Sequence, residues 1–383
     1  MEEIEIKPQS KESIDRSLAI PDLTDPKNGT HAINLVIQKL EDGFSKAPGW
    51  PKPEILRFNP LVSVEDNFDR LRFPKDNIGR GSRYTRYASP DTLLRTHTSA
   101  HVPDILKEIG EKGIEDHLVM VPGICYRRDV VDKKHCGEPH QIDIWRTKKG
   151  EPRLERADLL QLVDIIVNSI IPGAKYRANE VKHPYTINGL EIEVMFNGNW
   201  FELMECGETH PEVLEASGLD PSIYSGLASG MGLDRLVMIL KGIDDIRILR
   251  STDPRIVKQM TNLDPYVPVS KYPAVTHDIS FSVDKEMSEE DICEDIREAI
   301  PDAMDALEEV TILSETPYEK LPEPAKERLG IKPDQKNILA RLVIRSHDRT
   351  LTQEESNDLR NRIYRAVNQS GTEGYLDPSL TPK

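Results

Sequence analysis

Two arginines, a run of glycines and a few hydrogen-bonding side chains are the residues of this sequence that could do chemistry. Tyr126-Arg127-Arg128-Asp129 leads into a charged loop, Asp132-Lys133-Lys134-His135, and a return run Pro139-His140-Gln141-Ile142-Asp143. An arginine on a strand, a basic loop and a return strand bearing Gln141 and Asp143 would clamp a triphosphate and a small zwitterion together. The same spacing also describes a solvated hairpin with surface ion pairs. Further along, Gly226, Gly230 and Gly232 precede Leu233, Leu236, Val237 and Leu240 at helical spacing, with Arg235 in the first turns. Glycines on a tight stretch let backbone approach a ligand, and a helix opening behind them offers free N–H groups to an anion. Alone, such a turn is more often a packing device. His97 and Ser99 share one side if their segment is extended, and alone they amount to a satisfied hydrogen bond.

Composition sets the frame for these residues. The chain has 383 residues, a net charge of −16, 37 % hydrophobic and 30 % charged residues, which suits a soluble protein of two domains. No apolar run approaches the ~20 residues of a membrane span, so no membrane partner is expected. The acidic start, Met-Glu-Glu-Ile-Glu-Ile, resembles neither a signal nor a transit peptide. Cys125, Cys136, Cys206 and Cys293 form no C-x-x-C pair, which argues against zinc and fits a reducing cytoplasm. The negative charge opposes general phosphate binding but allows a local basic patch for a specific nucleic acid.

The elements that must position these residues follow from periodicity. Residues 1–27 read as a polar arm. Ile33, Val36, Ile37 and Leu40 predict a helix closed by Gly43, and Leu159, Leu162, Val163, Ile166 and Ile170 predict another. Residues 119–146 alternate as a hairpin, and Leu190, Ile192 and Val194 lead to an Asn197-Gly198 turn and a return strand through Glu202 and Glu205. Hairpins with a few long helices indicate α+β architecture with an antiparallel sheet over residues 28–263. Residues 264–271 read as a linker. Residues 272–383 show strand–helix–strand twice, with helices opening at Ser288 and Thr352 and a last strand near Tyr375, a ferredoxin-like βαββαβ order.

Three stretches in this order resemble the signature motifs of class II aminoacyl-tRNA synthetases, specifically the phenylalanyl-tRNA synthetase family. They are Leu94-Arg95-Thr96-His97-Thr98-Ser99, then Tyr126-Arg127-Arg128-Asp129 with His135 and His140-Gln141, then Gly230-Met231-Gly232-Leu233-Asp234-Arg235. Ser270 to Val275 and Asp348-Arg349-Thr350-Leu351-Thr352 are similar to that family's ferredoxin-fold anticodon-binding domain. Catalytic core and tRNA-binding unit on one chain resemble the single-chain organellar form.

The resemblance implies an antiparallel class II sheet flanked by helices and a two-step reaction using ATP and Mg²⁺. An amino acid is adenylated and then transferred to tRNA, by a homodimer or a monomer. It implies that Arg127 holds the α-phosphate and that Arg235 lies against adenine and reaches the γ-phosphate. Asp129, His135, Pro139, Gly230 and Gly232 would surround the nucleotide. Glu202 would be a Mg²⁺ ligand. His97, Ser99, Gln141 and Asp143 would hold the ammonium and carboxylate of the amino acid, and Arg341, Arg345 and Arg349 would contact tRNA.

The departures from the family fall in the amino-acid pocket. The Phe-Pro-Phe-Thr segment corresponds to His183-Pro184-Tyr185-Thr186, and the glycine before Cys-Gly is Glu205. The aromatics flanking Ala228 are Leu227 and Ser229, and the adenine-facing phenylalanine is Pro139. A carboxylate beside a substrate ring is costly unless paired. Glu205 therefore raises the expectation of a polar or cationic ligand group, with a salt bridge to His183 as the alternative. An adenylating paralogue serving another acceptor, and a non-catalytic binding paralogue, are the competing readings.

Overall fold

In the computed structural model, which describes residues 6–269 and 272–370, the chain divides into two units. One takes Met1–Arg127, Glu138–Gly242 and Met260–Pro265; the other takes Arg128–Gly137, Ile243–Gln259 and Tyr266–Lys383.

The first unit opens with a helix where the sequence suggested an arm. The Ser10 side chain accepts from the Ser13 amide and starts α1 (Lys11–Leu18), whose Ser13, Ile14 and Ser17 are buried. Only one strong apolar residue marks the buried side, so hydropathy alone misses it. Helix α2 (Ala32–Lys46) runs through Gly43 rather than stopping there. A Cβ at Gly43 would lie 1.8 Å from the Ser169 Oγ. Gly43 thus serves close packing on a later helix and is not a cap.

Strands β1 (Glu54–Ile55), β2 (Leu61–Ser63), β3 (Tyr87–Ser89) and β4 (Thr92–Leu94) precede α3 (Val102–Lys112). Then follow β5 (Asp116–Ile124), β6 (His140–Lys149), α4 (Arg156–Ile170), β7 (Tyr176–Glu180), β8 (Thr186–Phe196), β9 (Asn199–Thr209), α5 (Pro211–Ala216), β10 (Tyr224–Gly232) and α6 (Leu233–Lys241). Seven strands form one sheet in the order β1-β5-β6-β10-β9-β8-β7, antiparallel except for the β1–β5 pair. β2, β4 and β3 make a small second sheet. Asn197 (φ 49°) and Gly198 (φ 82°) supply the two positive-φ positions that join β8 to β9 in a tight turn.

Strand alternation divides the large sheet into two faces. Val119, Val121, Trp145 and Ala228 face one way and pack with Val102, Ile105, Leu106 and Ile109 of α3 and with Val213 and Leu214 of α5. Helix α2 contacts α4 and α6, α6 contacts β6, and α4 contacts β8 and β9.

The glycines Gly226, Gly230 and Gly232 belong to β10, not to a tight turn as expected. At Gly226 a Cβ would meet the Thr209 Oγ1 at 2.5 Å and the Arg146 carbonyl at 3.2 Å, so the central strand is bare there because its neighbour crowds it.

In the second unit, α7 (Pro254–Gln259) precedes β11 (Val275–Asp284), α8 (Glu289–Ala299), β12 (Leu307–Pro317), α9 (Glu323–Leu329), β13 (Gln335–Ile344) and α10 (Gln353–Val367). The sheet order β11-β13-β12 is antiparallel throughout. Ser288 with Asp291 and Thr352 with Glu355 form complete capping boxes at α8 and α10. This order is the ferredoxin-like one, and the expected strand near Tyr375 lies outside the described residues. No helix among the described residues is long and apolar enough to cross a membrane.

The crowding at Gly226 gives a stability prediction. Gly226→Ala should cost about 1–3 kcal/mol by overpacking, read as a lowered midpoint in urea denaturation. An unchanged midpoint would mean that β9 and β10 separate freely there.

Candidate active site

Asp143 is the centre of the site face. It stands on β6 with its residue only 1 % exposed, and it has no cation within ion-pair distance among the described residues. Four donors satisfy it instead. Thr98 Oγ1 donates at 2.5 Å and Ser99 Oγ at 2.7 Å, with Trp145 Nε1 at 3.3 Å and Gln141 Nε2 at 3.4 Å. Burial raises its pKa, and the Thr98, Ser99 and Trp145 hydrogen bonds oppose that rise. The charge of Arg95 also opposes it, from beyond ion-pair distance.

His97 and Ser99 do not share a strand side, as expected for an extended segment. Thr98–His101 coil into a 3-10 turn three residues beyond β4, and this turn delivers the Thr98 and Ser99 hydroxyls to Asp143. The ring nitrogens of His97 are buried without an aligned hydrogen-bond partner. Burial, assisted by the Arg127 charge, holds His97 down to about 3, so the imidazole is neutral. Cys125 donates to Gln141 Oε1 at 3.4 Å, which orients the Gln141 amide with its nitrogen toward Asp143.

An aromatic row lines this carboxylate. Phe73 stacks on His97 at 5.3 Å and reaches Tyr185 at 6.1 Å, and Tyr185 lies 6.2 Å from Trp145. Phe73 carried no signal in the sequence. Its neighbour Arg72 adopts φ 63°, a costly conformation for a non-glycine residue. Arg72 Nη1 donates to the Pro184 carbonyl at 2.6 Å and its Nε to Glu212 at 2.8 Å, tying the Tyr185 segment to α5.

Ala228 faces this row from β10, packed with Trp145 and Tyr185. Ser229 does not. Successive strand residues point to opposite faces, and the Ser229 hydroxyl donates to the Met204 sulfur behind the sheet at 3.3 Å. The pocket assignment of Ser229 is therefore corrected, and the flanking Leu227 is likewise behind.

Gly230 lies between Asp143 on β6 and Glu205 on β9 in register. A Cβ there would be 3.3 Å from Gln141 Nε2, so glycine keeps the floor open. A register shift in the β8–β9 pair sets Ile192 against Met204 but Glu193 against Glu202. That bulge turns Glu202 to the same face as Glu205. Burial raises the Glu202 pKa, as do the charges of Glu205 and Glu191, while Arg235 lowers it. Glu205 is held below the usual carboxylate range by His183, whose Nε2 is 2.9 Å away.

Arg127 donates from Nε to the Thr96 carbonyl at 2.9 Å, and Arg235 is exposed in the first turn of α6 behind Gly232. Two links missed by sequence reasoning hold these motifs together. Fully buried His140 pairs through Nδ1 with Asp234 at 3.0 Å, and its Nε2 accepts from the Leu23 amide at 3.1 Å. Pro139 carries on the ladder, its carbonyl accepting from the Cys125 amide at 2.8 Å.

Asp129 and His135 belong to the second unit. Arg297 donates to the Asp129 carbonyl, His135 pairs with Asp132 at 2.7 Å, and Val131 is buried in that unit's core. The arginines expected to meet tRNA are paired there too. Arg341 is bidentate with Asp278, Arg345 meets Glu308 at 2.9 Å, and Arg349 is bidentate with Glu355. Arg349 also lines a cavity of about 730 Å³ with Arg247, His347, Glu354, Asp358 and Arg362.

The sequence matches the class II core domain of tRNA synthetases (F) over residues 14–260. The chain belongs to the class II aminoacyl-tRNA synthetases. Residues 270–373 match the ferredoxin-fold anticodon-binding domain. This synthetase is 30 % identical to the chloroplastic/mitochondrial phenylalanine–tRNA ligase of Arabidopsis thaliana over 87 % of its own length and 75 % of that protein. It is 30 % identical to a probable mitochondrial phenylalanine–tRNA ligase of Drosophila melanogaster, covering 87 % of this chain and 82 % of the relative. The phenylalanine–tRNA ligase alpha subunit of Acaryochloris marina is 33 % identical over 61 % of this chain.

These names overturn the cytoplasmic expectation and point to an organelle. Unpaired cysteines mark a reducing environment, which is not unique to the cytoplasm.

Replacing Asp143 by Asn separates binding from stability. A folded-state pKa above the unfolded value means this group favours folding most below the unfolded pKa, a contribution lost as pH rises through the folded pKa. Above the folded pKa the charged carboxylate therefore costs stability relative to its neutral form. Asp143→Asn should raise the thermal midpoint while raising the amino-acid KM by about a hundredfold or more. A lowered midpoint would show that the four donors more than offset its burial.

Proposed function

We propose that this synthetase activates phenylalanine with ATP and transfers it to tRNA, acting as a single-chain ligase. The observation that carries this reading is the buried Asp143 carboxylate beside the row of His97, Phe73, Tyr185 and Trp145. An anion next to an aromatic wall complements the two ends of an aromatic amino acid. The resemblance of the whole chain to ligases named for phenylalanine supports the same substrate.

Asp143 receives the ammonium, Gln141 and the neutral His97 orient the carboxylate, and Tyr185 and Ala228 shape the ring pocket. A carboxylate oxygen attacks the α-phosphorus of ATP and pyrophosphate leaves. A ribose hydroxyl at the tRNA terminus then attacks the carbonyl carbon and AMP leaves. Both steps need positioning and charge stabilisation more than proton transfer. Arg127 meets the charge growing on the α-phosphate, and Arg235 covers adenine and reaches the γ-phosphate.

Glu202 fits a magnesium-bound nucleotide, because burial and then the neighbouring Glu205 and Glu191 charges disfavour its carboxylate, and a divalent cation would relieve that. That ion would neutralise phosphate charge. The nucleotide roles of Asp129, His135 and Pro139 rest on motif resemblance alone, as do the tRNA contacts of Arg341, Arg345 and Arg349.

ATP–pyrophosphate exchange across the common amino acids tests the reading. Phenylalanine should support exchange, and Arg127→Ala should lower kcat/KM by about 10²–10³-fold. Exchange confined to another amino acid would replace the substrate assignment. A silent wild-type protein that still binds ATP would point to a non-catalytic relative.

A further inference from the structure

We propose that Glu205 is a positioning residue that sets amino-acid specificity through His183, without contacting the substrate. The inference rests on the reading of this site as an amino-acid pocket. Glu205 stands on the site face opposite Gly230, where the sequence alone suggests that a polar or cationic ligand group awaits it. The carboxylate is instead taken up inside the protein. Its Oε2 is 2.9 Å from His183 Nε2, approaching off the line of the ring N–H, and His183 holds the Glu205 pKa below the usual carboxylate range.

The other ring nitrogen is engaged as well, with His183 Nδ1 3.3 Å from Thr186 Oγ1. With both edges occupied and the side chain only 10 % exposed, His183 has no free polar edge for a ligand. It offers a flat surface. That surface lies against Tyr185 at 5.7 Å and 20°, and Tyr185 in turn leans on Trp145, whose indole N–H donates to Asp143.

Glu205 thus holds His183, His183 backs Tyr185, and Tyr185 forms the wall for the substrate ring. Local backbone is shaped for this arrangement. A Cβ at Gly189 would fall 3.2 Å from His183 Nδ1 and 2.5 Å from the Val181 carbonyl, so only glycine lets the segment close over the imidazole. An aromatic ring at 183 could back Tyr185 by apolar contact alone, and no carboxylate would then be needed at 205. The histidine needs one, which explains why both departures occur together.

A double-mutant cycle in ATP–pyrophosphate exchange tests this. Glu205→Ala should raise the phenylalanine KM about 3- to 10-fold, with kcat and the ATP KM within about twofold of wild type. Glu205→Gln should fall between, because it keeps a polar partner. Glu205→Gly combined with His183→Phe should return the KM to near wild type. Thermal unfolding is a second readout, with Glu205→Ala lowering the midpoint and the double variant restoring it.

Additive effects of the two changes would overturn the proposal, as would a Glu205→Ala enzyme unchanged in KM and midpoint. Loss confined to amino acids with a polar ring substituent would also overturn it, by making Glu205 a direct contact. Wild-type exchange with some other amino acid would refute the phenylalanine assignment while leaving the cycle to be run on that substrate. A protein silent with all of them would refute the ligase reading, and the unfolding midpoints would still decide the coupling.

Discussion

A buried carboxylate held by hydrogen-bond donors, with no cation within ion-pair distance among the described residues, is the constraint that shapes the catalytic unit. Hydroxyl, indole and amide donors converge on Asp143 and offset part of what its burial costs. The coiled turn after β4, the orientation of Gln141 by Cys125, and the placing of Trp145 two residues along the same strand all serve that convergence. These donors are themselves neutral. The nearest full positive charge acting on it is that of Arg95, beyond ion-pair distance, so an ammonium at this face would find a carboxylate already held in place. The neutral state of His97 belongs to the same balance, since burial and the charges of Arg127 and Arg95 all disfavour a further cation there.

Much of this architecture was legible in the sequence. The capping boxes at Ser288 and Thr352, the Asn197-Gly198 turn and the alternating strands each followed from local chemistry that tertiary packing did not oppose. Failures came where long-range contact overruled a local signal. Gly43 and Gly226 looked like breakers, yet they lie inside a helix and a strand because neighbouring side chains leave no room for a Cβ. Strict alternation would have placed Glu202 and Glu205 on opposite faces, and only the bulge in β9 unites them. The same alternation, applied with care, would have removed Ser229 from the pocket. Phe73 and Arg72 were invisible because their roles depend on an unusual backbone angle and a partner more than a hundred positions away.

The substituted pocket shows how a costly change can be absorbed. A glycine-to-carboxylate exchange looks like a new specificity when read one residue at a time. Beside a histidine with both ring nitrogens occupied, it reads as half of a paired replacement. The carboxylate introduced at one position is taken up by the ring at its neighbour, and the aromatic character of the wall survives in the face of an imidazole.

The arginines of the anticodon-binding unit carry a different consequence. Arg341, Arg345, Arg349 and Arg362 already hold carboxylates. An arginine that engages a phosphate must trade an internal anion for an external one, so the exchange sheds fewer condensed cations from the RNA than an unpaired guanidinium would. Affinity for tRNA in such a domain should fall less steeply with ionic strength than a count of its arginines implies. Discrimination would then come from the shape of the exchange, since a non-cognate RNA that displaces the carboxylates without replacing every contact loses more than it gains.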